Sequence, residues 1–264
     1  MTLGDKPDIE GVTKLLKIRD IYSAFRIRFL NDWPPLFHIT QWKAGSQWIH
    51  QILARCCQPK KVWPRFEGTE PICRNNVYAA AYLTKEEYRD YATSDSKYFV
   101  ILRDPRDILV SGYYSLKFSH VVEPGISEQR QELESANVED GMIRTMDTLV
   151  QPCVNIALSW AKSGSEWIRY EELLNRDVEL LTKALLVDCG LPIKKSILTE
   201  AVMACRFERI SGGRKPGQEN VNSHFRKGIA GDWKNQFTPR IKSIFKERFG
   251  EALRICGYEK DSDW

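Results

Sequence analysis

The sequence predicts an α/β fold, a doubly wound parallel sheet with flanking helices, carried by a single domain over residues 1–264. Three observations predict it. Short apolar runs of strand length alternate with runs of helical period. Each apolar run passes into a turn of small or charged residues that opens the next helix. No internal repeat or low-complexity tract interrupts this order, and repeated strand–turn–helix units favour parallel strands joined by crossover helices.

The first strand is Leu36–Thr40 (LFHIT), behind the breaker Pro34-Pro35 and ahead of Ala44-Gly45-Ser46. A helix from Ser46 to Cys57 follows, with Ile49, Ile52, Leu53 and Cys56 on one face. Tyr98–Leu102 (YFVIL) is the strongest candidate for a central strand, because a near-continuous apolar run suits a sheet covered on both faces. It leads into a helix over Pro105–Leu116, with Pro105 tolerated in the first turn. Thr145–Ser163 reads as helix despite Pro152. Glu166–Tyr170 (EWIRY) reads as a third strand, and Glu171–Cys189 as a helix closed by Gly190. The polar stretch Glu123–Gly141 reads as a mobile loop or an exposed helix, with a lid as its functional alternative. Ser211–Asn222, rich in Gly with a Pro and two basic residues, reads as a loop. In such sheets ligands sit beyond the carboxyl ends of the strands, so the turns after the strands are where chemistry is expected.

Composition narrows the function classes. Hydrophobic residues at 42% and charged residues at 28% are ordinary for a globular chain. A net charge of +4 is too mild for a dedicated nucleic-acid binder, yet suits a cleft for an anionic small molecule. The opening MTLGDKPDIEG has no apolar signal core and no run approaches a membrane span, so neither a membrane nor export is expected, and the protein reads as cytoplasmic. Seven cysteines, an odd number with Cys56 and Cys57 adjacent, point to reduced thiols. With no C-x-x-C pair and four scattered histidines, no metal site is expected.

Three stretches carry the chemistry. HITQWKAGSQW, residues 38–48, runs a strand through Lys43, Gly45 and Ser46 into a helix. Backbone N–H groups at a helix start, a glycine, a lysine and a hydroxyl make an anion cradle. A strand-to-helix turn with an exposed lysine is an equal alternative. It is not the nucleotide-triphosphate loop G-x-x-x-x-G-K-[ST], because the Lys precedes the Gly. In RDPRDILVSGYY, residues 103–114, Arg103 stands at a strand end and Ser111 lies about two helical turns on. Together they can hold a second phosphate, or Arg103 can simply pair with Asp104 or Asp107. HFRKGIAGDWKNQFT, residues 224–238, sets Arg226, Lys227 and Lys234 around two glycines, as a loop around a polyanion or as a solvated face.

Taken together the three resemble the cytosolic-type sulfotransferases that use 3′-phosphoadenosine-5′-phosphosulfate (PAPS). TQWKAGSQW, residues 40–48, is similar to the family's T-Y-P-K-S-G-T-T-W. RDPRDILVSGYY is similar to R-N-P-K-D-x-x-V-S-Y-Y, and RKGIAGDWKNQFT matches R-K-G-x-x-G-D-W-K-N-x-F-T almost letter for letter. The resemblance implies a PAPS site, with PAP as product and no metal. Lys43 would stabilise charge on the bridging oxygen, while Ala44, Gly45, Ser46 and Gln47 would bind the 5′-phosphate. Arg103, Ser111, Arg226, Lys227 and Gly228 would hold the 3′-phosphate. Trp48, Tyr170 and Phe207 would flank adenine. The acceptor it implies is a small-molecule hydroxyl or amine, aromatic or a specialised metabolite, and the pattern looks most like bacterial members.

Departures from the family are specific. Ala44 and Gln47 replace its usual Ser and Thr. Counting back from Arg103 to the family's catalytic His lands on Ala81. Glu67 or His120 is then the candidate base, unless the acceptor needs little help. His38 and His50 read as packed residues, while His224, beside Arg226, can approach the cofactor phosphates. The acceptor pocket is expected from Trp63–Tyr82 and from Tyr113–His120 with the polar loop after it, on the strength of their aromatic residues. The second reading is a catalytically silent PAPS- or PAP-binding protein, motivated by Ala81. A nucleotide kinase is a third, disfavoured by the order of Gly and Lys. The family's dimer segment is not recognisable, so the oligomeric state is left open.

Overall fold

The structure is a computed structural model that describes residues 33–57, 61–121 and 125–264. Five parallel strands form its sheet: β1 (Leu36–Ile39), β2 (Val62–Trp63), β3 (Val77–Ala81), β4 (Lys97–Leu102) and β5 (Ile168–Arg169). They lie in the order β2-β3-β1-β4-β5. From β1 in the middle the chain runs to β2 at the edge, returns inward to β3, then crosses to β4 and β5 on the other side. The switch of direction falls at β1, and crevices at such points receive ligands in open α/β sheets. This is the doubly wound architecture expected from the sequence.

Strand β1 is wholly buried, as a central strand covered on both faces must be. Leu36 pairs with Val77 on one side and with Lys97 on the other. Register with β3 shifts between Phe37 and Ile39, where Ala80 takes a left-handed φ of 51°. There the ring Nδ1 of His38 accepts from the Ala80 N–H at 3.5 Å. His38 is fully buried and stacks on Phe99 at 4.8 Å. Burial lowers its pKa to about 3, so the imidazole is neutral.

One apolar layer joins α1 (Ser46–Cys56) to α7 (Tyr170–Leu181) and α8 (Lys195–Ala204), with Ile49, Ile52 and Leu53 against Leu173, Leu198 and Val202. A second joins α3 (Pro105–Tyr114), α5 (Val138–Thr145), α6 (Gln151–Lys162) and α11 (Pro239–Ile255) through Ile108, Leu109, Met142, Phe245 and Phe249. Short helices α2 (Lys85–Tyr91), α4 (Ile126–Ser135), α9 (Phe207–Ile210) and α10 (Trp233–Gln236) complete the chain. Thr84 and Glu87 close a capping box on α2, and Asp104 caps α3 through the Arg106 N–H. Among the described residues no helix is long and apolar enough to cross a membrane.

Several elements differ from the sequence reading. The third strand shrinks to Ile168–Arg169, because Tyr170 already begins α7. The helix expected over Glu171–Cys189 turns non-helical at Arg176 (φ −128°) and widens into π turns over Thr182–Asp188 before Gly190 at φ 66°. The Pro105–Leu116 helix likewise widens over Ser115–Ser119. Thr145–Ser163 is helical, with wide turns at Met146–Val150 just ahead of Pro152, which has no N–H to give. Within Glu123–Gly141, residues 123 and 124 lie outside the described set. The remainder forms α4 and the start of α5, anchored by buried Ile126 and Leu133. Strands β2 and β3 were not anticipated.

Candidate active site

The turn from β1 to α1 is shaped by two left-handed residues, Lys43 (φ 65°) and Gly45 (φ 83°). At Gly45 a Cβ would come within 2.8 Å of the Tyr170 ring, so the backbone approaches as only glycine allows. Gln41, fully buried, fixes the turn from below: its Nε2 donates to the Cys153 carbonyl at 2.7 Å, and its Oε1 accepts from the Arg103 N–H at 2.9 Å. The Ala44 N–H donates to the Gln41 carbonyl at 3.2 Å and is already satisfied. The first-turn amides of α1 have no intrahelical acceptor, and Ser46, Gln47 and Trp48 line the crevice. Ser46 accepts a hydrogen bond from the Tyr82 hydroxyl at 3.2 Å.

Arg103 emerges from the end of β4 and is 7% exposed. Its Nη1 donates to the Lys43 carbonyl at 2.7 Å, and the guanidinium lies 4.5 Å over the Tyr170 ring. Asp107 is 3.9 Å away, while Asp104 turns instead to Arg106 at 2.7 Å. Nε of Arg103 is buried with no protein partner. Lys43 Nζ donates to Ser115 Oγ at 3.0 Å. Burial, then the charges of Arg103 and Arg226, lower its pKa to about 8.

The segment before α10 brings the remaining cations. Arg226 pairs with Asp232 at 2.6 Å and with Glu219, and lies 4.7 Å over the Tyr114 ring. Lys227 reaches the same buried Asp232 at 2.7 Å. Asp107, on α3, accepts from the N–H groups of Gly231 at 2.6 Å and Trp233 at 3.1 Å, which ties this segment to the helix carrying Ser111. Gly228 has φ 65°, and a Cβ there would overlap the Phe207 ring.

These pieces surround one cavity of about 1130 Å³. Lys43, Gly45, Ser46, Gln47 and Trp48 line it from the β1–α1 turn. Arg103, Ser111, Tyr170 and Phe207 line the adjoining wall, and Arg226, Lys227 and Gly228 close it. Among the candidate bases, His120 lines the cavity, its ring 5.6 Å from Trp42. Glu67 does not line it; its carboxylate pairs with Arg65 at 3.0 Å and is about half exposed. Ala44 is buried beneath the turn and is not a lining residue.

The aromatic residues expected to form the acceptor pocket mostly serve the core: Tyr78 and Tyr113 are buried, and Phe66 packs on Phe37 at 5.5 Å. From those two segments only Arg65, Tyr82, Ser119 and His120 reach the cavity. Tyr82, at the end of the expected Trp63–Tyr82 segment, does reach the cavity, whereas sequence reasoning missed Gln41, for which no signal stood out. It also gave no role to Asp232, although the GDW triplet held one. Among the described residues no group of three His, Cys, Asp or Glu side chains is arranged to hold a metal.

Residues 34–257 match the sulfotransferase domain family. Among curated relatives, sulfotransferase 2B1 of Rattus norvegicus is 25% identical over 262 residues, covering 83% of this chain and 70% of that protein. Sulfotransferase 2A2 of Mus musculus is 24% identical over 268 residues, covering 89% and 90%. Among solved structures, mouse sulfotransferase SULT7A1 complexed with PAP superimposes with a TM-score of 0.60 at 20% identity, covering 84% of each chain. Retinol dehydratase, solved with androsterone and inactive cofactor PAP, gives 0.56 at 12% identity, covering 87% of this chain and 82% of that one. With the family match spanning most of its length, this chain belongs to the sulfotransferase family.

Proposed function

We propose that this protein transfers a sulfuryl group from PAPS to a hydroxyl or amine of a small-molecule acceptor, leaving PAP. One observation carries the reading: three stretches far apart in sequence bring Lys43, Arg103, Arg226 and Lys227 to one cavity at the switch point of the sheet. Two relatives of known structure were solved with PAP.

The residues present fit a nucleotide bearing two phosphate groups. Arg103 offers a buried Nε that no protein atom satisfies, and Trp48 a buried Nε1 in the same condition. Gly228 packs so closely on the Phe207 ring that a Cβ would overlap it, which holds both residues at the cavity wall. PAPS supplies an activated sulfuryl group whose bond to the bridging oxygen is the one that breaks. Lys43 is assigned to carry the charge that develops on that oxygen, a role suited to an ammonium ion held in a buried site. The free amides of the first turn of α1, with Ser46 and Gln47, take the 5′-phosphate. Arg103, Ser111, Arg226, Lys227 and Gly228 take the 3′-phosphate, and this second anchor aligns the reacting group for in-line attack. Trp48, Tyr170 and Phe207 flank the base.

The same reading takes residues 1–264 as one sulfotransferase domain acting in the cytoplasm, where seven free thiols are at home. Ala81, buried and without a proton-accepting side chain, favours the second reading of a PAP binder without turnover. One pair of measurements separates the two. Wild-type protein should release PAP from PAPS, and Lys43→Ala should abolish that release while still binding PAP. Equal turnover by Lys43→Ala would remove Lys43 from the chemistry.

A further inference from the structure

The family's base position is Ala81 here, fully buried in β3, so no proton can be taken there. We propose that His224 is the general base, removing the acceptor's proton from across the cavity. This rests on the sulfuryl-transfer reading and names a residue that the reading leaves open.

Placement supports it first. His224 lines the cavity together with Lys43, whose ammonium marks the bridging-oxygen end. It stands two residues before Arg226, on a segment that Arg214 holds in place. The Arg214 guanidinium donates to the carbonyls of Phe225 at 2.6 Å and Arg226 at 2.9 Å, and to Ser223 Oγ at 3.1 Å. The imidazole is thus carried on the same fixed loop as two cations assigned to the cofactor. Among the described residues its ring nitrogens have no hydrogen-bond partner, and its neighbour is the Phe225 ring at 5.3 Å. A base needs such a free lone pair facing the substrate.

Electrostatics agree. The ring opens to solvent through the cavity, yet enough protein surrounds it that burial, then the charges of Lys43 and His120, lower its pKa to about 4. The imidazole is therefore neutral at physiological pH. The smaller part of that depression is repulsion from Lys43, which a bound polyanion offsets, so loading the site returns part of the ring's basicity. In the step itself, a ring nitrogen of His224 takes the proton of the acceptor O–H or N–H. The acceptor atom forms its bond to sulfur, and the bond from sulfur to the bridging oxygen breaks, its electron pair staying with PAP beside Lys43. Water then carries the proton away from the imidazolium.

The test compares wild type, His224→Ala and His120→Asn. PAP affinity is measured by calorimetry, and PAP release from PAPS is followed with 2-naphthol, with an aryl amine and with water alone. His224→Ala should bind PAP as wild type does yet turn over about 100-fold more slowly or worse. Added imidazole should restore part of the rate, which a merely structural role would not allow. The loss should shrink with 4-nitrophenol, whose more acidic proton needs less help. Wild-type turnover by His224→Ala, or loss confined to His120→Asn, would overturn the assignment. A wild-type protein that binds PAP but accelerates none of these reactions would defeat the sulfuryl-transfer reading on which the assignment rests. Failure of wild type to bind PAP would instead defeat the underlying function.

Discussion

The guanidinium of Arg103 donates to the backbone carbonyl of Lys43 at 2.7 Å, joining the end of β4 to the turn after β1. The two residues assigned to opposite ends of the cofactor are therefore set by each other. Part of the Arg103 fork is spent on this bond and on the Ile229 carbonyl at 3.5 Å, while its Nε remains without a protein partner. A planar guanidinium presents fixed, parallel donors to protein and anion at once, a geometry that a lysine's point charge does not reproduce.

Arg103→Lys should accordingly weaken PAP binding about tenfold or more, with AMP much less affected. It should also slow turnover, because the Lys43 turn loses its tether. Calorimetric titration of both nucleotides checks the first point, and unchanged PAP affinity would contradict it.

Lys43 must be charged to stabilise the leaving oxygen, and in the free protein it loses its proton around pH 8. Since the charged form is the one below that pH, kcat/KM should fall as pH rises through about 8. In kcat the same limb should lie at higher pH, because a bound polyanion favours the ammonium. Lys43→Arg should abolish this alkaline limb whatever its absolute rate. A limb that survives that substitution belongs to another group.

Gly228→Ala places a methyl group against Phe207 at a left-handed φ of 65°. Either Phe207 or the loop must move, and both are assigned to the cofactor. PAP affinity should drop about tenfold with little loss of overall stability, since a displaced surface loop costs the core nothing. Full affinity would show that the close approach of Gly228 to Phe207 does not shape the site.

His38 gives a stability prediction independent of catalysis. Its folded pKa of about 3 lies below the ordinary 6.5, so the unfolded chain binds the extra proton first. Stability should be full above pH 6.5 and decline as pH falls from there towards about 3. His38→Phe, which keeps a ring beside Phe99, should flatten that decline in denaturant titrations at pH 7 and pH 4. Parallel pH dependence of the two proteins would contradict the assignment.

The central strands and the cavity-lining turns were legible because they carry local signals. LFHIT and YFVIL are dense in apolar residues, and each runs directly into its functional turn. β3 was not legible: VYAAA is rich in alanine, a helix former, and becomes strand only because β1 and β2 pair with it on either side. The π-widened ends of α3 and α7 leave no pattern that periodicity can detect. Nor does sequence separate a pocket aromatic from a core aromatic. Tyr82 and Tyr78 stand four residues apart, one in the cavity and one buried with its hydroxyl donating to the Pro71 carbonyl at 2.7 Å. From spacing alone Asp107 reads only as an alternative partner of Arg103, and Asp232 is given no role. Asp107's hold on the cationic loop appears only once residues more than a hundred positions apart meet, while Asp232 gathers Arg226 and Lys227 from within that loop.

The central claim is a site built for a nucleotide carrying both a 5′- and a 3′-phosphate. Its most direct test is calorimetric titration of the folded protein with PAP, with AMP and ATP as controls. The account predicts tight PAP binding, with AMP weaker by about tenfold or more because Arg103, Ser111, Arg226 and Lys227 then lack their anion. Equal affinity for PAP and AMP, or no binding of PAP, would contradict it.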